Sequence, residues 1–123
     1  VMPGASVAKI VQVKNTGSND AYIRVSVEKA IELAQGVEGE ADLTLVSLDL
    51  NTMNWTEKDG YYYYNAPLAP DASTEPLFTH VTFDTAMGNQ YQDSHALVDV
   101  KAYAVQSDNN GATALLAQGW PAE

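Results

Sequence analysis

The side chains that could carry acid–base or metal chemistry are few and scattered. The only histidines are His80 and His95, and no His-Glu-x-x-His motif or paired-histidine spacing accompanies them. Asp93 and Ser94 precede His95, but sequence neighbours do not form a Ser-His-Asp triad, and a nucleophile elbow is absent. Cysteine is also absent, which excludes thiolate nucleophiles, Cys-ligated metals and disulfides. We therefore predict no catalytic residue, no metal site and no cofactor, and a protein that is not an enzyme.

Two further groups of residues could have a chemical function or a purely structural role. Asp108, Asn109 and Asn110 offer oxygen ligands for calcium, but they lack the spacing of an EF-hand loop and are typical turn formers, so a turn is favoured. Lys9 and Lys101 are candidates for an isopeptide bond to an Asn or Asp side chain. An ion pair or a lysine stem that reaches water is the favoured alternative, which an unshifted intact mass would support.

An aromatic run forms the most distinctive candidate surface. Trp55 precedes Asp59-Gly60, and the run Tyr61-Tyr62-Tyr63-Tyr64 follows directly. The Asp-Gly turn and the high strand propensity of tyrosine predict a β-hairpin between these segments. In a strand, two rings of the run face the core and two face outward. The outward rings could contact a sugar or a partner chain, or they could serve cross-strand packing.

Composition limits the partners and the architecture. The 123 residues carry a net charge of −10 and are 46% hydrophobic, which fits one domain spanning residues 1–123. This charge repels nucleic acid, and no stretch approaches the ~18 apolar residues of a membrane helix. The sequence starts at Val1 without a signal segment, so we expect that a leader has been removed or that the chain has been trimmed.

Alternating apolar residues predict an all-β fold. Val7, Val11 and Val13 share one face of a first strand with Lys9. Ala21, Ile23, Val25 and Val27 share one face of the next, and Lys14–Asp20 reads as the turn of a hairpin. Further strands are predicted at 77–83 and 96–105, the latter with a smooth alanine and valine face suited to sheet packing. Residues 28–33 and 41–50 fit either strand or helix, and 112–118 reads as a short helix. An antiparallel β-sandwich or jelly roll with one or two short helices follows.

Several segments together resemble the TasA/camelysin family of exported Gram-positive proteins, whose signal is removed by a SipW-type peptidase. The resemblance rests on the order of these segments over most of the chain: Pro3-Gly4, then Lys9, Val11 and Val13; Lys14 to Ser18; Asp20 to Val25; Trp55 with Asp59 to Tyr64; Leu68, Pro70, Thr74 and Pro76 to Phe78; and Ala102, Ala104 and Val105-Gln106 ahead of Trp120.

This resemblance implies a jelly-roll domain of a biofilm matrix fibre or a cell surface layer. Subunits would join when a terminal strand of one completes the sheet of the next, with self-association or other matrix proteins as the partners. We expect Val7, Lys9, Val11 and Val13 to form the assembly strand. The alternative is an extracellular module that binds glycans or proteins through Trp55 and Tyr61–Tyr64. The peptidase activity described for camelysin-like proteins has no supporting motif here.

Overall fold

The computed structural model describes all 123 residues and contains seven β-strands and three 3₁₀ turns. The strands form two antiparallel sheets with the orders β1-β6-β3 and β4-β5-β2-β7. This confirms the predicted all-β, antiparallel sandwich class. The strands are β1 (Ser6–Val11), β2 (Ala21–Glu32), β3 (Val46–Leu48), β4 (Trp55–Lys58), β5 (Tyr61–Tyr64), β6 (Phe78–Phe83) and β7 (His95–Gln106), and the 3₁₀ turns are Leu43–Leu45, Asn89–Tyr91 and Ala114–Leu116.

The hairpin between β4 and β5 forms as the sequence predicts. Trp55 lies opposite Tyr64, and Lys58 lies opposite Tyr61. The two turn residues, Asp59 and Gly60, have φ angles of 51° and 86°. Positive φ at both central positions is the requirement of the type I′ turn, whose twist matches that of the strands it joins.

The predicted hairpin between the first two strands is wrong. β1 lies in the three-stranded sheet and β2 in the four-stranded sheet. The segment between them is tied to a distant loop, because the Asn15 backbone N–H donates to Ala72 O at 2.9 Å and the Asn15 side chain donates to Leu68 O at 2.8 Å. These bonds carry the chain from one sheet to the other instead of folding it back.

The structure assigns the three segments for which the sequence allowed or predicted a helix. Residues 28–32 continue β2 as strand, and the 41–50 segment contains a 3₁₀ turn followed by β3. The predicted helix at 112–118 is only the three-residue turn Ala114–Leu116. Asn110 accounts for this shortening, because its side chain accepts from Gln118 N at 2.8 Å and holds the following segment as a loop.

The chain divides into two compact units. The first comprises Val1–Ile10, Glu28–Leu50 and Phe78–Asp99, and the second comprises Val11–Val27, Asn51–Leu77 and Val100–Glu123. A single domain over 1–123 stays a prediction. The buried hydrophobic side chains of the first unit are Val46, Phe78, Val81, Met87 and Tyr91. Those of the second unit include Tyr22, Ile23, Val25, Trp55, Tyr63, Leu68 and Leu77.

Candidate functional site

Strand β1 is an edge strand that packs little of its surface. It ends the order β1-β6-β3, and every residue from Ser6 to Ile10 is exposed. Val7 is 52% exposed and Ile10 is 66% exposed, although they point to opposite faces of the strand. Both faces of β1 therefore present apolar side chains to solvent.

The backbone of β1 is open on the side that faces away from β6. Phe83 N donates to Ala5 O at 2.9 Å, and Leu77 N donates to Val11 O at 2.8 Å. Because an antiparallel ladder alternates between inward and outward residues, the odd-numbered residues of β1 face β6. The N–H and C=O groups of Ala8 and Ile10 point to the free edge.

The four residues predicted as an assembly strand fall into two environments. Val7 and Lys9 lie on the exposed part of β1, so the Lys9 side chain is open to solvent, which agrees with the favoured interpretation of a lysine stem that reaches water. Val11 is buried, and Val13 is half-buried with its N–H bonded to the Thr74 hydroxyl at 3.1 Å. Val11 and Val13 anchor the strand, whereas Val7 and Lys9 are free for a partner.

The tyrosine run surrounds a cation that sequence reasoning did not select. The Arg24 Cζ atom lies 3.9 Å from the centroid of the Tyr61 ring and 4.7 Å from that of Trp120. Its Nη1 donates to the Tyr63 hydroxyl at 3.1 Å, and Tyr103 stands 5.7 Å away. These five residues, the Arg24 cluster, lie on one face of the four-stranded sheet.

The Arg24 cluster uses rings that were expected to face a partner. Tyr63 is buried, and Tyr61 is half-buried with its hydroxyl donating to Glu123. This bond to a carboxylate raises the pKa of Tyr61 above its ordinary value. The alternation of β2 predicts Arg24 and Tyr22 on an outward face, but the segment that carries Trp120 covers it. The sequence signal for this cluster was that Arg24 and Tyr22 are alternate residues of β2 and therefore share one face of the strand.

The remaining predicted aromatics pack against the opposite face. Trp55 is 2% exposed and donates from Nε1 to Glu75 O at 3.1 Å. Its ring centroid lies 4.9 Å from that of Tyr64, whose hydroxyl accepts from Glu75 N. Tyr62 is half-buried, and this burial, with Glu57 nearby, raises its pKa. Trp55 has no accessible face for a ligand.

A groove lies along β7 in the second unit. It has a volume of about 490 Å³ and is lined by residues 13–20, by Ala21 and Ile23, and by residues 102–106. Ala102 and Ala104 are exposed here, so the smooth face that was expected to pack is open in this half of the strand. The alternation in the sequence identifies this face but does not show whether another segment covers it.

The polar residues considered for chemistry form local structural contacts. Asp49 accepts hydrogen bonds from the Thr79 hydroxyl and the His80 N–H, which hold its pKa well below the ordinary value. His80 Nδ1 lies 3.8 Å from Asp49 Oδ2, and both side chains are about half exposed. His95 is exposed at the start of β7. No group of three or more His, Cys, Asp or Glu side chains is placed to hold a metal ion.

Comparisons with family models, curated proteins and solved structures find no match for this chain. None of its helices has the length and apolar character needed to cross a membrane.

Proposed function

We propose that this protein is an exported, non-enzymatic structural protein of a biofilm matrix or cell surface, and that it assembles into fibres through strand β1. The observation that carries this proposal is the exposure of β1 on both faces at the end of its sheet. An edge strand offers unpaired N–H and C=O groups to another chain, and extended segments commonly bind by adding to such an edge.

The composition of β1 supports the proposal that its free edge pairs with another chain. Proteins that stay monomeric protect their edge strands with charged side chains, especially lysine, or with proline, a bulge or a covering loop. β1 contains no proline and a single charged residue, Lys9, while Val7 and Ile10 are exposed. Export and a place in the matrix rest on the resemblance of the segment order to the TasA/camelysin family.

The test compares β1 variants with a matched surface control. Deletion of residues 1–8, and the single change Ile10→Lys, should abolish filaments seen by electron microscopy. The control is Met53→Lys, because Met53 is 89% exposed in a turn outside the strands. Circular dichroism verifies that each variant is folded. Filaments that form equally well in all four proteins would contradict a role for β1.

The alternative, a glycan-binding module, has weaker support. Trp55 is buried, and Tyr61 and Tyr63 surround Arg24, which leaves Tyr62 and Tyr64 as the half-exposed rings of the run. Glycan-array binding that is lost in Tyr62→Ala and Tyr64→Ala variants would favour this alternative over assembly.

A further inference from the structure

We infer that the acceptor for β1 is the groove beside β7 of a second copy of this chain, so that the free edges of β1 and β7 pair to continue one sheet into the next. This inference rests on the proposed function, and it adds the surface that receives the assembly strand. It makes the contact head-to-tail, since the two edges differ.

The backbone of β7 is open beside the groove. β7 ends the order β4-β5-β2-β7, and Ser107 N donates to Asp20 O at 3.1 Å at the end of this pairing. Since inward and outward residues alternate, the odd-numbered residues of this part of β7 face β2. Ala102 and Ala104 therefore present their N–H and C=O groups to the open edge.

Strand length selects β7 among the sheet edges. The other edge strands that could receive β1 are β3 and β4, which have three and four residues. β7 has twelve residues, and the six-residue β1 fits along it. A longer ladder forms more hydrogen bonds between strands for the same loss of translational freedom.

Side-chain size fits the same pairing. Residues directly opposite each other in two paired strands point to the same face of the sheet. The outward residues of β1 include Ala8 and Ile10, so pairing them with Ala102 and Ala104 places the exposed Ile10 side chain over two small residues. The groove of about 490 Å³ provides the room for it, and the buried Ile23 is among the residues that line this groove.

Charge favours a second copy as the occupant. The chain carries 16 acidic residues, and none of them precedes Asp20. The segment from Val1 to Asn19 contains Lys9 and Lys14 and is the only long basic stretch of a protein with a net charge of −10. The N-terminal segment is therefore attracted to the net negative charge of another molecule. The groove itself carries one cation and one anion, Lys14 and Asp20, so this attraction acts over the whole molecule.

Head-to-tail pairing has a consequence for the assembly. An interface between two different surfaces leaves one of each free at the ends, so it propagates into an open filament unless the rotation closes a ring. Pairing of β1 with β1 would be symmetric and would stop at a dimer. The difference between the two edges therefore permits a filament, which a symmetric β1–β1 contact does not.

Engineered cysteines test the pairing directly, because the native chain contains none. Adjacent strands hold opposite Cα atoms about 4.5–5.5 Å apart, within the range that a disulfide spans. Ala8→Cys with Ala104→Cys in one chain should give a ladder of covalent oligomers on a non-reducing gel. Ala8→Cys with Ala112→Cys, a surface control, should give at least about tenfold less of the oligomers. Equal yields, or the absence of oligomers, would overturn the inference.

A third cysteine pair separates this acceptor from strand exchange. The Ser6 and Thr82 hydroxyl oxygens lie 3.3 Å apart, so the antiparallel register places Ala8 opposite His80 within one chain. If β1 leaves its own sheet and takes this place in a neighbour, the pair Ala8→Cys with His80→Cys yields the oligomer ladder. That result, without a ladder from the Ala104 pair, would reject β7 as the acceptor and leave β1 assembly standing.

A charged side chain in the groove provides an independent readout. Ala104→Lys adds a long cation to the open face of β7, and Ala112→Lys adds the same side chain elsewhere on the surface. Filament growth should fall at least about tenfold for Ala104→Lys and stay unchanged for Ala112→Lys. Filaments that need β1 but tolerate Ala104→Lys would refute the acceptor; filaments indifferent to β1 would refute the proposed function.

Discussion

Replacing Arg24 with glutamine should lower the free energy of unfolding by about 1–2 kcal/mol. The Cζ atom lies 3.9 Å from the Tyr61 centroid and 4.7 Å from the Trp120 centroid. A half-exposed cation over an aromatic ring contributes about 0.5–1 kcal/mol per contact. The bond from Nη1 to the Tyr63 hydroxyl, at 3.1 Å, contributes about 1 kcal/mol more.

One group of Arg24 lowers this sum. Its Nε atom is buried without a hydrogen-bond partner, and this desolvation is already a cost in the native protein. The favourable contacts total about 2–3 kcal/mol. The Gln variant also removes the desolvation cost of about 1 kcal/mol, so the expected net loss is about 1–2 kcal/mol. Urea unfolding followed by tryptophan fluorescence measures it, because Trp120 belongs to the Arg24 cluster.

A control substitution and a double-mutant cycle test whether the aromatic rings account for the effect of Arg24. Lys101→Gln removes an exposed cation from the neighbouring strand and should change stability by less than about 0.5 kcal/mol. A double-mutant cycle of Arg24→Gln with Tyr61→Leu should give a coupling energy of about 0.5–1 kcal/mol. If Arg24→Gln costs less than about 0.5 kcal/mol, or if the coupling is zero, the cation–π account of the cluster is refuted.

Four further substitutions test the loops. Asn15→Ala removes a buried amide that donates to Asn19 O and Leu68 O and accepts from Gly17 N, so a loss of about 2–3 kcal/mol in urea unfolding is expected; a loss under about 1 kcal/mol would contradict its anchoring role. Because the folded pKa of Asp49 is lowered, its ionised form stabilises the fold above pH ~4, and this contribution is lost as the pH falls below that value. Asp49→Asn should therefore flatten the fall in thermal midpoint between about pH 4 and pH 2, and an unchanged slope would argue against it. Gly60→Ala should lower the free energy of unfolding by about 1 kcal/mol, because Gly60 has a positive φ. Gly111→Ala should lower it by at least about 2 kcal/mol, because Gly111 has a positive φ and the added Cβ would also lie 3.2 Å from Leu116 atoms. Equal losses would show that this contact with Leu116 has no effect.

The sequence predicts those parts of the fold that depend on neighbouring residues. Asp59-Gly60 is sufficient for the β4–β5 hairpin, because positive φ at two adjacent positions is a local requirement. The segment after β1 has turn residues of the same kind, yet its path depends on bonds from Asn15 to Leu68 and Ala72. No local pattern records a bond to a partner more than fifty residues away.

The candidate surfaces show the same limit. Alternation assigns side chains to two faces of a strand, but it does not identify the segment that covers a face. The face with Tyr22 and Arg24 is covered by the segment that carries Trp120, while Ala102 and Ala104 are left exposed. The exposure of Val7 and Lys9 likewise follows from the position of β1 in its sheet order, which is a property of the whole topology.

The energetics of an edge-to-edge contact explain why it would act in a polymer rather than in an isolated pair. Burying the exposed fractions of Val7 and Ile10 contributes about 3–5 kcal/mol at ~25 cal/mol per Å², and each backbone hydrogen bond adds about 1 kcal/mol. Association itself costs about 4–15 kcal/mol, so one such contact is weak. A head-to-tail contact gives every interior molecule two neighbours, one at β1 and one at β7. Both edges are then paired along the filament, and assembly is expected to depend strongly on concentration and on the ionic strength that screens the net charge of −10.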